Sequence, residues 1–115
     1  MTMDRDRMRR LQAMAGLVFD TRAQALRRAN DAREALLRQI ADLDAQPAEE
    51  GLVWPAAEVA RFGYQQWAAV RRAEINQRLA AQTVVCLQAA DETRRAFGRV
   101  QTLEKLVDGQ RKSRV

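Results

Sequence analysis

Apolar and small residues recur along the second half of the chain at steps that alternate between four and three. Ile75, Leu79, Gln82, Cys86, Ala89, Thr93, Ala96, Val100, Leu103 and Val107 follow this rule without a break. A mean step of about 3.5 residues keeps one stripe of a helix turned toward a partner while the two supercoil, so this stretch predicts a coiled-coil helix. Gln82 and Thr93 soften the seam, but neither is charged. Such a helix is marginal alone in water, so the rest of the chain must supply its partner.

The first third of the chain has the matching pattern. Met8, Leu11, Ala15, Val18, Arg22, Ala25, Ala29, Ala32, Leu36, Gln39 and Leu43 repeat the three-and-four spacing, and Leu26, Leu37 and Ile40 broaden the stripe. Arg22 is the one charge in that seam, where its aliphatic stem can cover the partner while the guanidinium reaches water or a carboxylate. Between the two patterns lies the only punctuated segment, Gln46-Pro47-Ala48-Glu49-Glu50-Gly51-Leu52-Val53-Trp54-Pro55. Pro47 and Gly51 break the helix, and Pro55 suits the first turn of the next one. The fold class that follows is all-α: an antiparallel two-helix coiled-coil hairpin forming a single domain. Helix one covers residues 4–45, the turn 46–55, helix two 55–108 and a frayed basic tail 109–115.

Near the turn, Val59, Phe62, Trp67 and Val70 form an apolar face out of register with the Ile75 seam, so a local shift is expected around Ala73. Leu52, Val53 and Trp54 are expected to fold back over the tip. A short turn makes the helices antiparallel neighbours and sets Leu43 near Val59 and Met8 near Arg94. Helix two would then outrun helix one, leaving Leu103, Leu106 and Val107 without cover inside the chain. Uncovered apolar residues at the end of a helix pair imply docking to a partner.

Composition supports helices over a compact core. Hydrophobic residues reach 47% but aromatics only 5%, and much of the apolar count is alanine. The net charge of +5 is carried mostly by arginine, interleaved with acids as in Asp4-Arg5-Asp6-Arg7. Interleaving reads first as a solvated helix surface and only second as a polyanion site. Cys86 is the only cysteine and histidine is absent, so neither an intrachain disulfide nor a Cys/His metal cluster is available. Its seam position reads as a buried, inert thiol. The acidic pairs Asp42 with Asp44, Glu49 with Glu50 and Asp91 with Glu92 read as solvated surface, and no glycine-rich phosphate loop exists. These absences argue against an enzyme, a cofactor or a metal. Asp4 and Asp6 dilute the N-terminal positive charge of a signal peptide, and no apolar run reaches the roughly 20 residues of a membrane span. A soluble, cytoplasmic protein is expected.

The stretch Ala96-Phe97-Gly98-Arg99-Val100-Gln101-Thr102-Leu103-Glu104-Lys105-Leu106 resembles the end of the flagellar export protein FliJ and its type III secretion relatives. Phe62-Gly63-Tyr64-Gln65-Gln66-Trp67 is similar to the aromatic region that opens that family's second helix. The resemblance implies a non-enzymatic stalk whose plan is like the gamma subunit of rotary ATP synthases. Its implied partners are the hexameric export ATPase, the membrane export gate and export chaperones, and its implied location is the cytoplasmic side of the inner-membrane export apparatus.

On that footing Phe97, Arg99, Leu103, Lys105 and Leu106 are the candidate contacts with the ATPase ring, joined by Arg5, Arg9 and Arg10. Phe62, Tyr64 and Trp67 are the candidate contacts with the gate or a chaperone. Phe62 and Trp67 are expected to pack over Ile40, Leu43 and Leu52, with Tyr64 off their face. The alternatives are a structural adaptor or chaperone that self-associates through its seam, and a basic helical hairpin that tracks nucleic-acid phosphates.

Overall fold

A computed structural model describes residues 2–45 and 54–113. Two helices account for it: α1, Thr2–Asp44, and α2, Ala56–Lys112. They pack against each other as a two-helix hairpin, with no strand among the described residues. The expected turn residues before Trp54, including Leu52 and Val53, lie outside the described residues, as do the last two residues of the tail. Asp4 in the first turn of α1 and Glu58 in that of α2 complement the positive helix ends, and Arg111 and Lys112 complement the negative end of α2. That last pairing corrects the expected tail. The helix continues through Gly109 to Lys112, and the amide of Ser113 donates to the carbonyl of Gly109 at 3.0 Å.

The packing falls into two compact units, Met1–Asn30 with Val85–Val115, and Asp31–Val84. In the second unit Leu43, Ala68 and Ile75 are buried, and Leu36, Ile40 and Tyr64 pack against them. Ile75 is only 1% exposed, and burying such a side chain contributes about 1.5–3 kcal/mol. Tyr64 donates its hydroxyl proton to the Leu43 carbonyl at 3.1 Å, in the last turn of α1, where carbonyls lack helical partners. Arg72 pairs with Asp44. Arg33 Nε donates to Thr83 Oγ1 at 3.2 Å, and that hydroxyl donates to the Leu79 carbonyl at 2.8 Å.

In the first unit the buried residues are small: Ala29, Cys86 and Ala96. Phe19 and Phe97 meet with ring centroids 5.5 Å apart. Thr93 Oγ1 lies 3.1 Å from the Arg22 carbonyl and 2.7 Å from that of Ala89, so its proton can serve either helix. Arg22 and Glu92 form an ion pair at 3.0 Å, about half exposed on both sides, a setting that contributes no more than about 1 kcal/mol.

The seam of α2 lies where the periodicity puts it: every position from Ile75 to Val107 in the pattern is buried or half-buried. It also extends back, through the half-buried Arg71 and Arg72 to Ala68 and Tyr64, so there is no shift at Ala73. The seam of α1 needs correction. Met8, Ala15, Ala29, Leu36 and Leu43 face the partner, but Leu11, Val18, Arg22, Ala25, Ala32 and Gln39 are exposed. Gln12, Phe19, Ala23, Leu26, Arg33 and Ile40 take their places. The stripe takes two steps of four, from Ala15 through Phe19 to Ala23, then two of three, through Leu26 to Ala29. These four steps still sum to two heptads; taking Ala23 in place of Arg22 keeps that charge out of the seam and paired with Glu92, while the larger Phe19 and Leu26 turn inward.

The pairing register is corrected as well. Asp44 lies against Arg72 and Leu43 against Tyr64, not Val59. Met8 shares a groove with Val107 and Gln110 rather than lying near Arg94. In the unit Asp31–Val84, α2 therefore begins about four turns before the point where α1 ends. It is the start of α2 that runs beyond α1.

Candidate functional site

Two grooves line the unit formed by Met1–Asn30 and Val85–Val115. The larger, about 660 Å³, is open and mostly apolar. Leu11, Met14, Ala15 and Val18 of α1 form one wall; Arg95, Gly98, Arg99, Thr102 and Leu103 of α2 form the other. It exists because the first half of α1 is apolar on two faces. Met8, Ala15 and Phe19 turn toward α2, while Leu11, Met14 and Val18, spaced by three and four, make a second stripe that α2 only edges. Met14 is 62% exposed and Leu11 46%. Gly98 keeps the α2 wall low: a Cβ there would meet nothing within 4 Å.

The smaller groove, about 240 Å³, is lined by Arg5, Met8, Arg9, Gln12, Val107, Gln110 and Arg111. Three guanidinium groups border it, so one groove offers apolar contact and the other positive charge. Arg95 is paired with Asp91 at 3.1 Å on its own helix, whereas Arg99 and Lys105 have no ion-pair partner among the described residues. Of the two, only Arg99 borders the apolar groove, and a cation without a carboxylate there suits a partner that presents both apolar side chains and acids.

The expected ATPase-contact residues are distributed by this geometry. Arg99 and Leu103 line the larger groove together, and Thr102 adds a polar edge. Leu106, 52% exposed, lies one heptad, about two turns, beyond Arg99 on the same face. Phe97 is on the other flank against Phe19 and remains 47% exposed, and Lys105 points away from the seam. Leu103 and Val107 are half-buried against α1, which corrects the expectation that they lack intrachain cover. Arg5 and Arg9 do join this end. Leu11, Met14 and Val18 are the contribution that sequence reasoning missed. The periodicity places Leu11 and Val18 in the seam, and the signal for a separate stripe is their three-and-four spacing with Met14.

The aromatic region also reverses the expectation. Tyr64 is half-buried, hydrogen-bonded to Leu43 and packed on the Leu43–Ala68–Ile75 cluster. Phe62 and Trp67 are 62% and 57% exposed, with the Trp67 ring 5.8 Å from that of Tyr64. With Asp44 opposite Arg72, no part of α1 is left to cover Phe62. Among the described residues no helix is long and apolar enough to cross a membrane, and no cluster of His, Cys, Asp or Glu could hold a metal ion. The chain matches no protein family, no curated protein and no solved structure.

Proposed function

We propose that this chain is a non-enzymatic helical stalk or adaptor of a flagellar-type protein export apparatus, which engages a ring-forming export ATPase on the cytoplasmic side of the membrane. The observation that carries the reading is the apolar groove between Leu11, Met14, Val18 and Leu103, edged by the unpaired cation of Arg99. The segment resembling the family, Ala96 to Leu106, supplies one wall of that groove and its low point at Gly98. A pore lined by apolar side chains and carboxylates would cover the groove and pair with Arg99, Lys105, Arg5 and Arg9. The exposed Phe62 and Trp67 are proposed as contacts with the export gate or an export chaperone, and Tyr64 as the residue that holds that stretch in place.

The test is ATP hydrolysis by the purified export ATPase with and without this chain. Wild type should stimulate turnover. The double variant Arg99→Glu with Lys105→Glu should stimulate much less while keeping its helix content, since both side chains are exposed. No stimulation by wild type, or full stimulation by the double variant, would sink the proposal.

A further inference from the structure

Within the unit Asp31–Val84, α2 carries a second heptad on the side turned away from α1. Val59, Gly63, Gln66 and Val70 step by four, three and four; the alternation continues through Ala73, Gln77, Ala80 and Val84. All of these positions are exposed and none is charged. Val59, Val70 and Val84 are 71%, 63% and 52% exposed. Phe62 and Trp67 border the stripe, and its flanks hold a single charge, Glu74, which is paired with Arg71 at 3.1 Å. A helix face meant only for water normally carries charge at this length. A 3.5-residue repeat without charge is instead the pattern of a seam that meets another helix.

The seam is complementary to itself. Laid antiparallel on a second copy, Val59 meets the partner's Val84, Gly63 the partner's Ala80, and Val70 the partner's Ala73. Gln66 meets the partner's Gln77, where each amide can both donate and accept a hydrogen bond. A two-fold axis between Arg71 and Arg72 generates every layer twice, which is what a symmetric interface between identical surfaces requires. Glu74 falls beside the partner's Trp67, not beside another acid. Parallel, in-register pairing would stack Gly63 on Gly63 and Ala73 on Ala73, burying little at those layers.

We propose that this face binds a second copy of the chain, with the two α2 helices antiparallel between Val59 and Val84. The surface is separate from the groove assigned to the ATPase, so either of those proposals can fail without the other. It shares Phe62 and Trp67 at its edge with the gate or chaperone surface, so a second copy and that partner would compete for them. Sedimentation velocity of the full chain over a concentration series should show a monomer converting to a dimer. Val70→Glu should remain monomeric at unchanged helix content, because that side chain points away from α1. Orientation is read by cysteine pairing in a Cys86→Ala background. Val59→Cys and Val84→Cys, made separately and oxidised with copper phenanthroline, should give covalent dimers of the mixed type only when combined. A monomer throughout the series, a dimer that persists in Val70→Glu, or cross-linking of each variant only with itself would overturn the proposal.

Discussion

Ile75 is the residue on which the unit Asp31–Val84 depends most, being 1% exposed at the centre of its cluster. Ile75→Ala should cost about 2–5 kcal/mol, measured as a lowered urea midpoint, because it removes buried methyl groups and leaves a cavity. Val70→Ala, five residues away but 63% exposed, should change the stability of the monomer by no more than about 0.5 kcal/mol. Tyr64→Phe isolates one hydrogen bond, that to the Leu43 carbonyl, and should cost about 0.5–1.5 kcal/mol in the same measurement. Ile75 was legible in the sequence because it sits in an unbroken period. The role of Tyr64 was not, because it depends on where α1 stops, and periodicity within α2 carries no information about that.

For the helices, the two seams were not equally legible. That of α2 is read correctly between Ile75 and Val107 because every other phase of the repeat meets a charge there, whereas before Ile75 a second uncharged phase runs from Val59 to Val70. In α1 two phases compete: Leu11 with Val18, and Gln12 with Phe19. Both alternate by three and four and both pass through Arg22; the first avoids the further charge of Arg33, while the second buries the larger Phe19, Leu26 and Ile40. The register between helices is not legible for a different reason: a short turn predicts helices that meet near their ends, whereas the start of α2 runs beyond α1. The glycines test the helix-level account. Gly16 and Gly109 lie inside helices, and an added Cβ would meet nothing within 4 Å at either. Gly16→Ala and Gly109→Ala should each raise stability by about 0.5–1 kcal/mol in thermal melts. Gly98→Ala has the same open space in the free chain. If the groove it lines receives a partner, that variant should melt higher yet stimulate the export ATPase less.

At the scale of the whole molecule, the packing changes which experiments are informative. Truncation after Arg95 would remove Ala96, which is buried, and the half-buried Leu103 and Val107, so loss of activity there would report unfolding rather than lost docking. Amide hydrogen exchange avoids the difficulty because it reads every segment of the intact chain. Amides open locally where few apolar contacts hold them, and slowly where burial is dense. The slowest exchange should therefore fall around Leu36, Ala68 and Ile75. The first turns of α2, with Val59 71% and Phe62 62% exposed, should exchange much faster despite being helical. Ligation to a second copy stabilises only what the copy touches, by mass action. Protection from Val59 to Val70 should accordingly rise with protein concentration, while that around Leu103 and Val107 stays constant. Uniform protection along α2 at low concentration would show that the register placing its start beyond α1 is wrong.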